Sequence, residues 1–172
     1  MVQVYTILNT RVDNDICLNL IRQIERSLHE PTDYHKIRLW DNQLWTVVND
    51  ALMTDPQFRT LSLGLRWTCH RYTGGGSLPP HQDGSKYGSM YSVLVYLNDD
   101  FSGGLTNFLS KPDEHAITQS VKPVRGTIMV LCQDKWHMST AVCSGVKFIA
   151  RADLCRHNTE VNQDAEVFEI LV

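Results

Sequence analysis

A histidine and an aspartate stand two positions apart near the middle of the chain, in the stretch RYTGGGSLPPHQDG of residues 71–84. Imidazole and carboxylate groups are common metal ligands in proteins. Side chains at positions i and i+2 of a β-strand project from the same face, so His81 and Asp83 would point together and Gln82 away. The pair therefore predicts two neighbouring ligands of one metal ion, with a third ligand supplied from elsewhere in the fold.

The His-x-Asp pair alone is a weak signal, because so short a motif arises easily by chance. The ordinary alternative is a loop histidine followed by a turn aspartate before Gly84. If the third ligand is another histidine, the set is the two-histidine, one-carboxylate triad of non-haem Fe(II) oxygenases. That triad leaves coordination positions open, and oxygen chemistry needs them.

A lysine within the apolar segment VKFIA is a second candidate for a functional role. Lys147 stands ten positions after His137, which is predicted to end an apolar strand. Lys147, Ile149 and Arg151 would share one face of the next strand. A buried ammonium group is costly unless an anion meets it, and a dicarboxylate cosubstrate would supply that anion. The alternative is that Lys147 lies on the solvent face.

Two helices followed by a series of strands are predicted to position these residues. The helices are expected within residues 13–30 and 42–61, where apolar residues recur at helical spacing. Pro31 ends the first helix, and Pro56 is expected to start a further short turn of helix after the second. The sequence then changes to β-rich segments separated by Gly, Asp, Ser and Pro clusters. These segments cover residues 65–73, 89–99, 104–110, 126–133 and 145–156. The pattern predicts a mainly β barrel or sandwich with helices on one face, and residues 166–172 are expected to form a closing edge strand.

Composition narrows the functional classes. Sixteen Lys and Arg against nineteen Asp and Glu give a net charge of -3, which argues against nucleic-acid binding through bulk charge. No segment is apolar enough to span a membrane, and no secretory signal is recognised at the N-terminus. Five cysteines, without a C-x-x-C pair, argue against a disulfide framework. An intracellular location, cytoplasmic or nuclear, is expected, and nothing in the sequence indicates an oligomeric state.

Three segments together resemble one known enzyme family. They are RYTGGGSLPPHQDG, YSVLVYLNDDFSGGLTNF and the run from His137 through Lys147 to FIARADL. In this order they resemble the 2-oxoglutarate- and Fe(II)-dependent dioxygenases of the prolyl 4-hydroxylase type, over roughly residues 64–156. The resemblance implies a double-stranded β-helix, which is a jelly-roll barrel flanked by N-terminal helices. The expected single domain, residues 1–172, divides into helical support (1–63), a catalytic barrel core (64–156) and a C-terminal tail (157–172).

The resemblance also implies roles for particular residues. The expected iron ligands are His81, Asp83 and His137. The expected 2-oxoglutarate contacts are Lys147, which would bind the distal carboxylate, and Tyr72, Thr106, Tyr96 and Arg151. For Tyr72 and Tyr96 the alternative is a core ring whose hydroxyl is already hydrogen-bonded. Arg151 could instead contact the substrate or pair with Asp153, and the sequence does not decide between these roles.

The activity implied by the resemblance is hydroxylation. Fe(II), 2-oxoglutarate and O2 would be required, with ascorbate as a possible reductant, and succinate and CO2 would be released. A prolyl residue of a protein or peptide is the expected substrate, and another side chain or a small metabolite is the alternative. A non-catalytic binding module on the same barrel, or a cupin-type iron enzyme that uses no 2-oxoglutarate, also remains open.

The glycines and prolines before the His-x-Asp pair are also informative. Residues 74–76 are all glycine, which permits a sharp turn and a thin backbone beside a pocket. Residues 79 and 80 are both proline, which stiffens the approach and removes backbone donors. We therefore expect a rigid mount for the two ligands beside a flexible loop, and the loop is a candidate lid over the substrate.

Overall fold

The structure is a computed structural model that describes residues 4–28, 32–84 and 89–156. The expected closing strand at residues 166–172, with the rest of the tail, lies outside the described residues. None of the described helices combines the length and the apolar character needed to cross a membrane.

The described residues form a mainly β domain with two helices near its N-terminus. In chain order the elements are β1 (Tyr5–Arg11), α1 (Asn14–Arg26), β2 (Tyr34–Leu39), α2 (Asn42–Thr54), β3 (Leu61–Leu63), β4 (Trp67–Tyr72), β5 (Leu78–His81), β6 (Ser89–Tyr96), β7 (Ser102–Gly103), β8 (Thr106–Leu109), β9 (Ile117–Val121), β10 (Thr127–Cys132), β11 (His137–Ser139), β12 (Val142–Ser144) and β13 (Lys147–Arg156). The prediction of a mainly β fold with N-terminal helices is confirmed.

Two antiparallel sheets face each other. The major sheet has the strand order β1-β10-β6-β13-β4-β2, with β3 also paired to β13, and the minor sheet has the order β5-β11-β8-β9. One buried cluster joins them, with Leu94 and Tyr96 from the major sheet and Phe108 and Val121 from the minor sheet. The sheets pack as two layers and are not closed into one continuous barrel.

Both helices pack with the opposite face of the major sheet in a second buried cluster. Leu20 and Ile24 of α1 lie in this cluster with Leu44 and Val48 of α2, and the spacing of each pair is that of one helix face. Helix α2 begins after Asp41, whose side chain accepts a hydrogen bond from the Leu44 amide at 2.9 Å. The two helices confirm the predicted pair, although α1 ends at Arg26, earlier than the predicted stop at Pro31.

The end of α2 has a local cause. Proline disfavours the helical conformation of the residue before it, and Asp55 precedes Pro56. Asp55 is extended, with ψ of 120°, so α2 stops at Thr54. The chain then makes one isolated turn, in which the Arg59 amide donates to the Asp55 carbonyl at 3.0 Å.

Residues 1–63, the expected helical support, contain three strands beside the two helices, and β1, β2 and β3 were not foreseen in the sequence. Strand β1 precedes both helices and pairs with β10, and β2 pairs with β4. These two strands are the edges of the major sheet. Leu8 is the one fully buried residue of β1, and β2 has none. Edge strands of this kind lack the buried apolar alternation on which strand prediction depends.

Candidate metal and anion site

The two histidines of the predicted metal site meet across the minor sheet. Strand β11 pairs with β5 so that His137 lies opposite His81, and it pairs with β8 on its other side. Two details of the prediction need correction. Strand β5 ends at His81, so Asp83 follows the strand and does not lie on it, and His137 begins β11 rather than ending an apolar strand. The three side chains nevertheless converge.

The ligand atoms of these three residues are close enough to hold one metal ion. One atom from each of His81, Asp83 and His137 lies within 4.8 Å of the others. Nε2 of His81 is 3.6 Å from Oδ1 of Asp83, and Nε2 of His137 is 3.8 Å from Oδ2. The centres of the two imidazole rings are 4.2 Å apart.

Backbone carbonyls set the tautomer of both histidines. Nδ1 of His81 is 2.9 Å from the Pro79 carbonyl oxygen, and Nδ1 of His137 is 3.0 Å from the Lys135 carbonyl oxygen. A carbonyl oxygen only accepts, so each Nδ1 carries the proton and donates it. Each Nε2 therefore keeps its lone pair and is turned toward the carboxylate. This arrangement is typical of metal-binding histidines, whose second nitrogen is fixed by an outer hydrogen bond.

The local charges favour the protonation states that a metal site needs. Burial lowers the pKa of His137, which keeps its imidazole neutral near pH 7. Burial alone would raise the pKa of Asp83, but contact with His81 and the charge of Arg151 lower it well below its usual range. The site therefore offers two imidazole nitrogens and one carboxylate, a donor set that fits Fe(II).

Arg151 lies against the Asp83 carboxylate. Its Nε is 3.2 Å from Oδ2 of Asp83, and its Nη2 is 2.8 Å from Oδ1 of Asp153. The Ser92 hydroxyl donates to the same Oδ2 at 2.5 Å. Of the roles that the sequence left open for Arg151, pairing with Asp153 is therefore observed, and the contact with Asp83 was not foreseen. A contact between Arg151 and the cosubstrate stays a prediction.

Lys147 lies inside the protein, with only 1% of its surface exposed, so the alternative of a solvent-facing lysine was wrong. Its Nζ donates to the Gly104 carbonyl at 2.7 Å and to the Ser139 hydroxyl at 2.8 Å. Within the described part of the chain, no carboxylate forms an ion pair with it. Burial lowers the pKa of Lys147 to about 7. Nζ has three donor positions when charged, so one remains for an incoming anion.

Gly104 makes room for this lysine. Its φ of +61° lies in the left-handed region that favours glycine. A Cβ at this position would approach Cδ of Lys147 to 3.0 Å and the ring of Phe101 to 2.9 Å. Any larger residue would therefore displace the lysine stem as well as strain the backbone.

Two tyrosines and a threonine surround the lysine on the pocket side. The Tyr72 hydroxyl is fully buried and has no hydrogen-bond partner among the described residues. The Tyr96 hydroxyl donates to Oγ1 of Thr106 at 2.7 Å, which leaves the threonine hydrogen available to a ligand. The alternative of a satisfied core hydroxyl thus holds for Tyr96 and fails for Tyr72. A buried cation beside two unused hydroxyl donors fits a carboxylate group, such as the distal one of 2-oxoglutarate.

Metal site and anion site open into one pocket. Tyr72, Thr106 and Lys147 line it together with the three candidate metal ligands. Its apolar walls are Leu78, Leu94, Met138 and Ile149. Lys147, Ile149 and Arg151 all reach it, which confirms that they share one face of β13. Apolar walls limit water, and they strengthen every charge interaction within the pocket.

The glycine-rich loop is held more firmly than the sequence suggested. The Gly75 amide donates to the Val142 carbonyl at 2.8 Å, and the Val142 amide donates to the Gly76 carbonyl at 3.0 Å. The Thr73 amide donates to the Asp33 carbonyl at 2.9 Å, and a Cβ on Gly76 would collide with that oxygen. Close backbone packing therefore explains Gly76, whereas Gly75 has a φ of +87° and a Cβ on Gly74 would meet no atom within 4 Å. The hydrogen bonds of the loop do not favour a flexible lid.

Two further pocket residues were missed in the sequence. His70 is buried beside Tyr72, its Nδ1 is 2.7 Å from the Tyr34 hydroxyl, and its Nε2 has no partner among the described residues. Burial lowers the pKa of His70 to about 3, so the ring is neutral. Ser139 contacts Lys147. Each residue lies two positions from a predicted site residue on the same strand, Tyr72 and His137 respectively. The i, i+2 rule could therefore have found both.

Comparison with known proteins places these features in a wider context. Residues 67–152, half of the chain, match the family model described as the 2OG-Fe(II) oxygenase superfamily. This segment begins at the start of β4 and includes all three candidate metal ligands and Lys147. No protein of curated function matches the chain in sequence.

Solved structures of low sequence identity share the fold. A viral collagen prolyl hydroxylase from Paramecium Bursaria Chlorella virus-1, solved with 2-oxoglutarate, has a TM-score of 0.70 at 17% identity, covering 90% of this chain and 96% of its own. A prolyl-4-hydroxylase from Pseudomonas putida has a TM-score of 0.65 at 15% identity, with coverages of 88% and 92%. A Trichoplax adhaerens prolyl hydroxylase, in complex with a hypoxia inducible factor peptide, has a TM-score of 0.62 at 14% identity, with coverages of 94% and 86%. The predicted double-stranded β-helix is confirmed.

Proposed function

The chain belongs to the 2OG-Fe(II) oxygenase superfamily and is a dioxygenase that uses Fe(II), 2-oxoglutarate and O2, and we propose that it hydroxylates a prolyl residue of a protein or peptide. We further propose that His81, Asp83 and His137 bind the iron. The observation that carries the proposal is the pocket itself. Three convergent ligand atoms share it with a buried lysine that has no carboxylate partner among the described residues.

Each side chain would have a defined task in the reaction. Lys147 and the Tyr72 and Thr106 hydroxyls would bind the distal carboxylate of 2-oxoglutarate and fix its orientation in the pocket. The bound iron supplies the oxygen chemistry, in which 2-oxoglutarate is decarboxylated to succinate and CO2 and the substrate gains one oxygen atom. The apolar walls exclude water, so that the oxidising equivalents reach the substrate rather than solvent.

The prolyl substrate is supported by likeness in fold. The three solved structures named above are prolyl hydroxylases by description, and one of them holds a peptide. The single-domain organisation over residues 1–172 is proposed on the same basis. A peptide also suits a site in which the metal ligands lie near the protein surface, since the His81 side chain is 29% exposed.

A peptide screen tests the proposal directly. The enzyme would be incubated with Fe(II), 2-oxoglutarate, O2 and ascorbate in the presence of proline-containing peptides, and succinate and peptide mass would both be followed. The expected result is succinate release in step with the gain of one oxygen atom on proline. When isotope-labelled O2 is supplied, that oxygen atom should carry the label. Peptides with alanine in place of proline should not react, and the Asp83→Ala enzyme should be inactive.

The outcomes separate the alternatives. If no peptide is modified and succinate release is coupled to hydroxylation of a small metabolite, the prolyl assignment is overturned and the dioxygenase activity stands. Succinate release coupled to hydroxylation of a peptide side chain other than proline would have the same consequence. Absence of both metal binding and 2-oxoglutarate binding would overturn the proposed site.

A further inference from the structure

We propose that Arg151 and Ser92 are positioning residues for the metal site, which hold the Asp83 carboxylate in place between the two candidate histidine ligands. The inference rests on the iron site proposed above and adds residues to it. It assigns a role to a charged cluster between the two sheets that the binding of iron and 2-oxoglutarate leaves unexplained.

The contacts to Asp83 divide between its two oxygens. Oδ2 receives the Ser92 hydroxyl at 2.5 Å and faces Nε of Arg151 at 3.2 Å. Nε of Arg151 donates its hydrogen bond to the Ser92 hydroxyl oxygen at 3.1 Å, so the serine links the guanidinium to the carboxylate. Oδ1 faces Nε2 of His81 at 3.6 Å and Oδ2 faces Nε2 of His137 at 3.8 Å. Both distances are longer than a hydrogen bond and suit ligands of one ion.

A second carboxylate, that of Asp153, fixes the Arg151 guanidinium. Its Nη2 donates to Oδ1 of Asp153 at 2.8 Å, and the Gln133 amide donates to that same oxygen at 2.7 Å. Gln133 is 1% exposed, and its Oε1 accepts from the Ser89 hydroxyl at 2.7 Å. The planar guanidinium thus contacts two carboxylates, one through Nε and one through Nη2, and a flexible lysine could not reproduce this geometry.

The cluster joins parts of the fold that are otherwise separate at this point. Asp83 follows β5 of the minor sheet, whereas Ser92 lies on β6 and Arg151 and Asp153 lie on β13 of the major sheet. Asp153 pairs in register with Ser92, so the donors stand on adjacent strands. Rigid strands therefore orient a carboxylate that is not itself on a strand.

Two opposite effects on metal affinity decide whether this reasoning is right. The guanidinium draws charge from the carboxylate, so its removal would by electrostatics alone tighten metal binding. Its removal also frees the carboxylate to rotate, which weakens binding. Outer partners of metal ligands usually contribute about 10- to 100-fold in affinity. We therefore expect orientation to outweigh charge, and the metal dissociation constant to rise.

Manganese binding to the metal-free protein is the test, because Mn(II) is stable in air and its free-ion EPR signal also reports weak binding. Arg151→Met is expected to weaken Mn(II) binding about 10- to 100-fold. Ser92→Ala should cause a smaller loss, and Arg151→Lys should not restore wild-type affinity. Arg71→Met is the matched control. Nε of Arg71 pairs with Glu25 at 3.1 Å, and its side chain is 18% exposed against 19% for Arg151.

A double-variant cycle separates positioning from a general structural effect. If Arg151 acts through Asp83, Arg151→Met should change Mn(II) affinity little once Asp83→Ala is already present. Equal losses in both backgrounds would show a structural role and overturn the inference. So would an Arg151→Met protein that binds Mn(II) as tightly as wild type or more tightly, while the proposed function would stand. A wild-type protein that binds no Mn(II) would overturn the proposed function, and this inference with it.

Discussion

Replacement of Lys147 by methionine is expected to weaken 2-oxoglutarate binding by about two to three powers of ten. Methionine keeps an unbranched apolar stem and removes the ammonium group. Loss of one partner from a buried, hydrogen-bonded charge pair costs about 3–4 kcal/mol, and each 1.4 kcal/mol is about tenfold in affinity. The Gly104 and Ser139 contacts occupy two donors of Nζ, which leaves the third for the cosubstrate.

The lowered pKa of Lys147 does not change this estimate at neutral pH. Burial brings the pKa to about 7, so roughly half of the free enzyme carries a neutral amine at pH 7. Protonating that half on binding costs about 0.4 kcal/mol, since a tenfold population difference is about 1.4 kcal/mol. This cost is small beside the lost charge pair, so the pair decides the outcome.

The assay is an anaerobic titration of the Fe(II) enzyme with 2-oxoglutarate, followed by the visible charge-transfer band of the chelate. Lys111→Met is the matched control, because that side chain is 66% exposed and lies outside the pocket. Mn(II) affinity should be unchanged in Lys147→Met, since the lysine does not contact the metal ligands. Lys147→Arg should not restore binding, because the close packing at Gly104 is shaped for a lysine stem.

One result would refute the assignment of Lys147. If Lys147→Met binds 2-oxoglutarate like wild type, while Arg151→Met at saturating metal loses it, Arg151 is the cation that holds the distal carboxylate. In that case the inference about Asp83 would also need revision, because one guanidinium would have to serve both groups.

Three further predictions concern the same pocket. Asp83→Ala should abolish Mn(II) binding at concentrations that saturate wild type, and succinate release with it, while the circular dichroism spectrum stays native; normal turnover would refute its role. Tyr72→Phe should weaken 2-oxoglutarate binding by about tenfold or less, the value of one neutral hydrogen bond, and a titration showing no loss would assign that hydroxyl to packing. The pKa of Lys147, lowered by burial to about 7, predicts 2-oxoglutarate affinity that is constant below pH 7 and falls above it, because binding then requires uptake of a proton. The same titration in Lys147→Met should show no such dependence.

The interior strands could be predicted from the sequence, and the edge strands could not. Strands β6 and β10 are rich in apolar residues because both of their faces are covered, by helices on one side and by the minor sheet on the other. Strand β13 adds the charged residues of the pocket to an apolar pattern. Strands β1 and β2 each have a neighbour on one side only, and their side chains are mostly exposed. Strand β1 pairs with β10 and β2 pairs with β4, and no local sequence pattern indicates these pairings.

The residues of the site also differ in how far the sequence predicts them. His81, Asp83, His137 and Lys147 could be named in advance because their chemistry is unusual where they stand, next to glycine-rich turns or within an apolar strand. The three candidate metal ligands converge, although the strand geometry offered for Asp83 was wrong, and the roles of all four residues stay predictions. Ser139 was missed because a serine in a short strand has many ordinary uses, and only its place two positions after His137 marks it.

Arg151 shows why the remaining features required the structure. From the sequence it had three possible partners, and the observed pair, Asp83 and Asp153, combines one of these with one that was not considered. The deciding fact is the contact between Asp83, which follows β5 of the minor sheet, and Arg151, which lies on β13 of the major sheet.

Strand β13 carries both cations of the pocket, and their spacing explains how one strand serves two ligands. Lys147 and Arg151 stand four positions apart on one face, which corresponds to about 13 Å along a strand. Ile149 lies between them and separates the two charges with apolar surface. One cation can therefore hold the far end of the cosubstrate while the other holds the carboxylate of the metal site. At that separation, substitutions at the two positions should act almost independently. Loss of Lys147 should weaken 2-oxoglutarate binding and leave metal binding unchanged. Loss of Arg151 should weaken metal binding and, when the metal is saturating, leave 2-oxoglutarate binding unchanged.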